Sequence, residues 1–521
     1  MFFTWKLSSA RTLIISLLLL FSLGTWFLAL YIHISFIWLA LIATGLLSIA
    51  VHNAVQRRHT ILRNYPLIGY VRYFMEAFRP ELRQYLWESD LDGKPFNRIQ
   101  RSLVYQRAKG ERESIAFGTQ LDVNAAGHEW LAHAVFPKKF TGKMRTRVGN
   151  AQCKRPYDAS ILNIGAMSYG ALSSTAVSAL NQGAQLGGFA HNTGEGGISD
   201  YHLYEADLIW QIGTGYFGCR DAEGKFDPQL FMRKASRPAV KMIELKLSQG
   251  AKPGLGGMLP GNKNTEEIAR IRHVPVGTAV ISPPAHNAFS DATQLIRFLG
   301  FLRALSDGKP VGIKLCIGSE SDFTDICDAI YATNIIPDFI TIDGAEGGTG
   351  AAPVEFSNHV GMPLYDAIAF VNRTLKHYGL ENDIRIIASG KIVTGFDIIK
   401  ALSLGAHCCY SARGMMLALG CVQALQCNSG KCPAGIATQD KARAYGLDVR
   451  DKRARVANYH KQTLTAAVQL MEAAGFADLS EISPAKIFRK LNSHQTLSFQ
   501  DIYFQNKNDY RENWFKSRIL N

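Results

Sequence analysis

The sequence predicts an α/β protein built on a (β/α)8 barrel of the TIM type, with an N-terminal two-helix transmembrane hairpin and a small helical C-terminal extension. Three observations predict this architecture: apolar runs that alternate with amphipathic stretches, Gly-rich loops that follow those runs, and an uncharged N-terminal segment. The composition, 47% hydrophobic and 19% charged, excludes a disordered chain, and nine cysteines in 521 residues exclude a small disulfide-held fold.

Eight apolar runs are the predicted barrel strands. Most are followed by a helical pattern, such as Ser173–Leu186 or Asp291–Leu305, and this alternation indicates a parallel sheet. Eight units favour a closed barrel over an open doubly wound sheet. A dinucleotide-binding sheet would require GxGxxG after an early strand and an acid about 20 residues later, and no such unit is found. The runs are Ser160–Ile164, Gly188–His191, Leu208–Ile212, Met242–Leu247, Pro310–Leu315, Phe339–Ile342, Ile384–Ala388 and Ala406–Ser411.

The N-terminal segment predicts a pair of transmembrane helices. From Leu13 to Val51 there is no formally charged side chain over 39 positions. One helix of that length would extend about 58 Å, roughly twice the hydrocarbon core of a bilayer. We therefore predict helices at about Leu13–Tyr31 and Ser35–Val51, with a turn near His33. Both flanks are positive, which predicts a cell (inner) membrane protein with a cytoplasmic catalytic domain. The alternative is a cleaved signal peptide.

The formal net charge of +14 fits an anionic partner, which is a nucleic acid, a membrane surface or an anionic substrate. No nucleic-acid-binding motif is found, so we expect no nucleic acid partner. The predicted domains are the transmembrane hairpin (1–55), a basic connecting domain (56–154), the barrel with a cysteine-bearing loop (155–445) and the helical extension (446–521). In the connecting domain we predict a helical stretch at Glu76–Leu91 and interpret its arginines as a solvated face near acidic lipid.

The loops after the sixth, seventh and eighth predicted strands indicate a phosphate site. Gly347–Gly350, Ser389–Lys391 and Ser411–Arg413 supply Gly-rich turns and two cationic side chains. Backbone N–H groups in such turns bind phosphate, and the late strands of a barrel are its usual position. The alternative for any single loop is an ordinary turn.

Charged side chains follow the middle strands. Lys252 and Lys314 lie at the ends of the fourth and fifth strands, Gln249 adjoins Lys252, and Glu195 follows the second strand. Lysines that point into a barrel mouth require an anion to offset their loss of hydration, and a dicarboxylate substrate would supply one. The alternative is a Lys–Glu ion pair that only shapes the loop.

Three cysteines form the sharpest local pattern, Cys421-x5-Cys427-x4-Cys432-Pro433. Three thiolates in one loop that ends in proline suit an iron–sulfur cluster, and the lack of a nearby fourth cysteine favours a three-iron cluster over a four-iron one. The alternatives are a zinc site with a distant fourth ligand and inert cysteines.

Taken in order, the motifs of the predicted barrel resemble the FMN-binding domain of glutamate synthase over about residues 155–445. The motifs are GAMSYGALS (165–173), NTGEGG (192–197), ELKLSQGAKPGLGGMLPG (244–261), ISPPAH (281–286), DGAEGGTGAAP (343–353) and CPAGIATQ (432–439). The whole chain is similar to the membrane-attached, single-domain members of the FMN-binding glutamate synthase family. The resemblance implies FMN, a 3Fe-4S cluster on Cys421, Cys427 and Cys432, and reduction of 2-iminoglutarate, made from 2-oxoglutarate and ammonia, to L-glutamate (EC 1.4 class).

The resemblance also implies a role for individual residues. Those that line the isoalloxazine are Met167, Ser168, Gln249 and Lys314. Those near the phosphate are Gly348, Gly390, Lys391 and Arg413. Those that face the 2-oxoglutarate carboxylates and the imine are Glu195, Lys252 and Arg272.

The chain departs from the full enzyme of this resemblance. We expect no amidotransferase domain, so that ammonia is free or comes from a partner, and no nicotinamide-binding module, so that electrons come from ferredoxin, a separate reductase or a membrane carrier. Met258 stands where the usual motif has Gln. Met258 favours one alternative, a flavin oxidoreductase for another oxo or imino acid. The other alternative is a non-catalytic, membrane-tethered electron-transfer subunit.

Overall fold

Eight parallel strands close into a barrel in the computed structural model of the chain, which describes residues 2–111 and 114–504. All eight overlap the predicted runs, the second by His191 alone, and the predicted fold class is confirmed. The ring closes where β8 pairs with β1, with Cys409 opposite Leu162 and Ser411 opposite Ile164. The strands are β1 (Leu162–Ile164), β2 (His191–Asn192), β3 (Leu208–Ile212), β4 (Val240–Lys246), β5 (Val311–Leu315), β6 (Phe339–Asp343), β7 (Arg385–Ser389) and β8 (Cys408–Ser411).

Helices alternate with these strands around the barrel. Their first turns are capped as the sequence indicates: Ser173 and Thr265 accept a backbone N–H at N3, and Thr394 with Asp397 forms a capping box. Numbering all helices along the chain, those from the barrel onward are α6 (Ser174–Gly187), α7 (Pro228–Ala235), α8 (Glu266–Arg272), α9 (Ala292–Leu305), α10 (Glu320–Thr333), α11 (Val354–His359), α12 (Leu364–His377), α13 (Gly395–Ser403), α14 (Arg413–Leu419), α15 (Lys441–Tyr445), α16 (Val449–Ala474) and α17 (Phe499–Phe504).

The barrel interior contains a polar cluster around Glu244, which is fully buried on β4. Its carboxylate accepts hydrogen bonds from Asn192 (2.8 Å), Gln211 (2.6 Å) and Thr341 (2.7 Å). A buried carboxylate is tolerated when donors satisfy its oxygens. Asn192 in turn accepts the backbone N–H of Gly194 at 3.0 Å. The cluster therefore fixes the start of the loop that follows β2.

The C-terminal extension packs on the barrel. Helix α16 crosses α6 at Gly183, where a Cβ atom would lie 2.7 Å from Val456 Cβ. The ring of His460, also on α16, stacks on Phe189 with centroids 3.9 Å apart. A three-stranded antiparallel sheet joins Glu129–Leu131 to Ile487–Lys490 and Thr496–Ser498. Two-stranded pairs join Arg145–Val148 to Tyr157–Ser160, and Met258–Leu259 to Val280–Ile281.

The chain divides into two units, residues 1–98 and 99–521. The first unit contains helices α1 (Phe2–Tyr31), α2 (Ile37–Val55), α3 (Thr60–Asn64) and α4 (Ile68–Leu82), a 3-10 turn at Ile34–Phe36 and a π-helical turn at Arg83–Trp87. Helix α5 (Arg98–Lys109) opens the second unit.

Helices α1 and α2 pack against each other through small side chains. Ala29, Ala40 and Ala43 are buried, and the indole N–H of Trp26 donates to Thr44 at 2.9 Å. Small residues allow two helix backbones to approach closely. Two segments, 10–31 and 34–55, are long and apolar enough to span a bilayer. Both predicted helices and the turn near His33, whose Nδ1 accepts the N–H of Ser35, are present.

Candidate active site

The carboxyl ends of the barrel strands bring together the carboxylate of Glu195 and several cations. Nζ of Lys246, the last residue of β4, lies 2.9 Å from Oε1 of Glu195, and both side chains are largely buried. Burial alone would raise the pKa of Glu195, but the charges of Lys246, Arg272 and Lys252 outweigh it and lower that pKa. Glu195 is therefore an ionised carboxylate inside a positively charged cluster.

Two glycines make room for this carboxylate. A Cβ atom on Gly257 would lie 2.7 Å from Glu195 Oε1, and one on Gly213 would contact Oε2. Gly213 follows β3 and Gly257 lies in the loop after β4. Side chains at either position would displace the carboxylate from Lys246.

Arg272 lies on the same side of the site. Its Nη2 donates to the carbonyl of Tyr169 at 3.0 Å, its guanidinium carbon lies 5.0 Å from the centroid of the Phe217 ring, and its Nε has no partner among the described residues. Burial lowers the pKa of Arg272 to about 10. Gly170 and Gly196 approach its Nη2, since a Cβ on either would lie 3.1 Å and 3.0 Å away.

The ammonium of Lys252 is buried and forms no hydrogen bond or close ion pair with any other residue that the structure describes. Burial, followed by repulsion from Lys246, lowers its pKa, and the more distant Glu195 raises it. Its backbone N–H donates to the carbonyl of Gln249 at 3.2 Å, which places both residues in one turn. Lys252 is thus a charge of the cluster that no close carboxylate neutralises among the described residues.

The loop after β1 packs under the loop after β2. Gly194 has a left-handed φ of +64°, and a Cβ there would lie 2.6 Å from Ser168 N and 2.8 Å from Met167 C. Only glycine fits this position without strain. Met167 and Ser168 are thus held half-buried beside the Glu195 loop.

Lys314, the fourth residue of β5, pairs with Asp343, the last residue of β6, with Nζ and Oδ2 3.6 Å apart. Asp343 also accepts the N–H of Gly250 at 2.8 Å and the hydroxyl of Ser389 at 2.6 Å. One carboxylate therefore holds together residues from β5, β7 and the loop after β4.

Arg413 and Gly348 of the predicted phosphate loops are in contact. A Cβ on Gly348 would lie 2.6 Å from Arg413 Nε, and Arg413 Nη2 donates to the carbonyl of Glu346 at 2.6 Å. Burial lowers the pKa of Arg413. In the loop after β7, Gly390 has a φ of +148° and Lys391 a φ of +50°. A Cβ on Gly390 would lie 3.7 Å from Glu346 Cγ, so the three loops converge on Glu346.

Cys421, Cys427 and Cys432 lie in one loop after α14. Burial, with smaller contributions from the charges of Cys427 and Cys432, raises the pKa of Cys421 to about 11, so the three thiols lie within electrostatic range of one another. Among residues 2–111 and 114–504, no group of three His, Cys, Asp or Glu side chains could hold a metal ion. The ammonium of Lys263 donates to the carbonyl of Cys427 at 2.8 Å and places a positive charge beside the thiols.

The structure thus brings together Glu195, Lys252 and Arg272, which the sequence predicted as one group. The prediction did not include Lys246 or Asp343. Both are charged residues at the last position of an observed strand, whereas the predicted runs end at Leu247 and Ile342, so the sequence marked neither as a strand end. The direct partner of Glu195 is Lys246, whereas Lys252 and Arg272 act on it from farther away.

Comparison with known proteins bears on this site. The conserved region in glutamate synthase matches residues 140–477. Over 470 residues the chain is 38% identical to the glutamate synthase large subunit-like protein YerD of Bacillus subtilis, with 82% of this chain and 89% of that protein covered. A mandelate oxidase mutant solved with a monooxide FMN adduct is 14% identical, with 81% of this chain and 99% of that chain covered and a TM-score of 0.42.

Other relatives are longer than the region they share. The chain is 37% identical over 360 residues to the archaeal glutamate synthase (NADPH) of Methanocaldococcus jannaschii, with 68% of this chain and 66% of that protein covered. It is 32% identical over 325 residues to the glutamate synthase (NADPH) large chain of Azospirillum brasilense, with 61% and 20% covered. Because the conserved region takes in every strand of the barrel and all the residues of the site described above, the chain belongs to the glutamate synthase family.

Proposed function

We propose that this chain is a membrane-anchored FMN and iron–sulfur oxidoreductase that reduces 2-iminoglutarate, formed from 2-oxoglutarate and ammonia, to L-glutamate. The observation that carries the proposal is the cationic cluster at the barrel mouth, in which Lys246, Lys252 and Arg272 surround one carboxylate. The cluster has more positive than negative charge, and a bound dicarboxylate would offset it.

In this proposal Lys252 and Arg272 bind the substrate carboxylates, because Lys252 is incompletely paired and Arg272 Nε lacks a partner within the described part of the chain. Cations that hold both ends of a small acid fix the position of the carbon between them. Glu195, kept ionised by Lys246, accepts a hydrogen bond from the imine nitrogen and favours its protonated, more electrophilic form.

The site residues fit FMN. Gly348 lets Arg413 approach the loop after β6, Gly390 and Lys391 have left-handed backbones in the loop after β7, and we propose these four for the phosphate. Met167, Ser168, Gln249 and Lys314 are proposed to line the isoalloxazine. When bound, FMN supplies a hydride to the substrate carbon. Lys314, held by Asp343, would place its positive charge near the ring and stabilise negative charge there.

We propose that Cys421, Cys427 and Cys432 bind a 3Fe-4S cluster. Each thiolate of such a cluster binds a different iron, so the sulfur atoms lie farther apart than the ligands of a single metal ion. The observation that supports the proposal is that three thiols of one loop lie within electrostatic range of one another. Lys263 would offset part of the thiolate charge.

The membrane anchor is proposed from the exposure of α1 and α2. Large apolar side chains point outward, such as Leu20 (66% exposed) and Trp38 (71%), whereas the alanines lie between the helices. A core helix of a soluble domain would show the reverse pattern. Together with the positive flanks, this arrangement supports two spans and a cytoplasmic barrel.

The test is a single-turnover experiment on purified, reconstituted protein. Flavin reduced by dithionite should be reoxidised by 2-oxoglutarate with ammonium, and by neither alone. Reoxidation only by other acids would overturn the substrate, and reoxidation only by a partner protein would identify an electron-transfer subunit. A preparation without flavin that cannot be reconstituted would overturn the proposal itself.

One observation favours a second substrate class. Met258 is 59% exposed on the hairpin formed by Met258–Leu259 and Val280–Ile281, where it presents a thioether instead of an amide. An apolar group at this position favours an oxo or imino acid with a less polar end. The same experiment with branched or aromatic 2-oxo acids tests this alternative.

A further inference from the structure

Helix α4 has an apolar stripe that no other described residue covers. Ile68, Val71, Phe74, Met75 and Phe78 are 60%, 58%, 56%, 51% and 48% exposed. Their spacing of three and four places them on one face of the helix. Five large apolar side chains exposed together on one face of a helix mark an interaction surface.

The opposite face of α4 contacts the rest of its unit. Gly69 is buried against α3, where a Cβ atom would lie 2.9 Å from Leu62 Cδ2. The hydroxyl of Tyr70 donates to Asn53 of α2 at 3.2 Å, and the Tyr73 ring lies 6.0 Å from that of His59. Because these contacts fix the rotation of α4, its stripe faces away from α2 and α3.

The surroundings of the stripe are basic and aromatic. Between residues 56 and 83 there are six arginines and two glutamates. Arg72 borders the stripe and its side chain is 61% exposed. The π-helical turn that follows α4 adds Tyr85, Leu86 and Trp87, which are 61%, 69% and 71% exposed. Arginine beside apolar and aromatic side chains on one helix is typical of segments that lie in the interface of an anionic bilayer.

We propose that α4 lies flat in the headgroup region of an anionic bilayer, with its apolar stripe inserted and its arginines paired with lipid phosphates. The proposal deepens the membrane anchoring proposed above and rests on it, since α1 and α2 belong to the same unit as α4. A lipid occupant is favoured over a protein because α4 follows two helices with no formally charged side chain from Leu13 to Val51, and because of the arginine excess. The helix would then set the orientation of the unit at the membrane.

The experiment uses the full chain in vesicles of phosphatidylglycerol and phosphatidylcholine. Spin labels are attached to a genetically encoded keto residue, which leaves the native cysteines unmodified. One label replaces Phe74 on the stripe, and a second replaces Glu76, which is 52% exposed and lies off the stripe. A third replaces Leu46 of α2 and reports the transmembrane span separately. Collision rates with oxygen, which concentrates in lipid, are compared with those of a water-soluble nickel chelate.

We expect the Phe74 label to collide more with oxygen than with the nickel chelate, and the Glu76 label to show the reverse. Replacing phosphatidylglycerol with phosphatidylcholine should shift the Phe74 label toward the chelate. A Phe74 label that favours the chelate, or one shielded from both reagents by a protein surface, would overturn the inference. An oxygen preference at Leu46 with none at Phe74 would leave the two spans standing and refute only the role of α4, whereas a water signal at Leu46 would refute the spans.

Discussion

Nζ of Lys246 lies 2.9 Å from Oε1 of Glu195, and this ion pair joins the end of β4 to the loop after β2. Both groups are mostly removed from solvent. The pair keeps a carboxylate ionised at the position where, in the proposed reaction, it accepts a hydrogen bond from the N–H of the protonated imine. The proposed role of Glu195 therefore depends in large part on Lys246, its nearest opposing charge.

Lys246→Met should raise the pKa of Glu195, because burial remains while its nearest opposing charge is lost. A lowered pKa keeps the carboxylate ionised down to a lower pH. When Lys246 no longer lowers the pKa, Glu195 becomes protonated at a higher pH. The acid limb of the pH profile for flavin reoxidation by 2-oxoglutarate and ammonium should therefore shift upward. Lys241→Met is the control, since Lys241 lies near the start of β4 and pairs with Asp207 at 3.5 Å. Identical acid limbs in wild type and Lys246→Met would contradict this role.

Lys252→Met should weaken substrate binding while FMN stays bound. Loss of a charged hydrogen bond costs about 1.5–3 kcal/mol, which is roughly 10- to 100-fold in KM. Burial lowers the pKa of Lys252. As the pH rises, the wild type should therefore lose affinity for the substrate at a lower pH than it would with a lysine of ordinary pKa. In Lys252→Arg the alkaline limb should move to higher pH. A KM unchanged in Lys252→Met at constant flavin content would remove Lys252 from the substrate site.

The strands of the barrel could be predicted because each is an apolar run closed by a Gly-rich turn. The barrel topology also predicted that the loops bearing Gly348 and Arg413 meet. The direct contact between these two residues could not be predicted, since it depends on side-chain packing in the folded chain. Lys246 was missed for a different reason: it lies two residues after Glu244 on one strand, and the sequence does not show where a strand ends and its last side chain enters the site.

The apolar stripe of α4 was not predicted, because the sequence of that region was interpreted from its arginines as a solvated face. The predicted helix, Glu76–Leu91, starts eight residues after the observed one begins at Ile68, so it leaves out Ile68, Val71, Phe74 and Met75. The packing of Gly69 against Leu62 and the contacts of Tyr70 and Tyr73 in the folded chain show that the apolar side faces outward.

Gly194→Ala should destabilise the protein more than Gly188→Ala, although both glycines are left-handed, with φ of +64° and +65°. The left-handed conformation costs each alanine about 1–2 kcal/mol. At Gly188 nothing lies within 4 Å of the new Cβ, whereas at Gly194 the Ser168 backbone lies 2.6 Å away. We expect a lower denaturation midpoint for Gly194→Ala than for Gly188→Ala, and a loss of flavin in Gly194→Ala alone. Equal losses in the two variants would contradict the packing of the Ser168 and Glu195 loops.

Cys427→Ser should abolish the paramagnetic signal and the iron content of the proposed cluster, because an alcohol does not replace a thiolate as an iron ligand at neutral pH. Cys327→Ser is the matched control: Cys327 is fully buried on α10, away from the cysteine loop, and its replacement should leave iron unchanged. Iron retained in Cys427→Ser, or lost equally in both variants, would refute the assignment of Cys427 as a ligand.

Gly183→Ala should destabilise the protein even though alanine is normally better than glycine inside a helix by about 1 kcal/mol. The new Cβ would lie 2.7 Å from Val456 Cβ and Cγ1 and 2.9 Å from the carbonyl of Arg453, so α6 and α16 must separate. Val456→Gly removes both of these Val456 atoms, and in that background the cost of Gly183→Ala should fall by about 0.5–3 kcal/mol, the usual coupling of residues in contact. Denaturant unfolding of both single variants and the double variant measures this coupling. If the changes in unfolding free energy of the two single variants simply add in the double variant, α16 is not packed on the barrel. Truncation of the chain before Val449 should in that case leave the barrel folded.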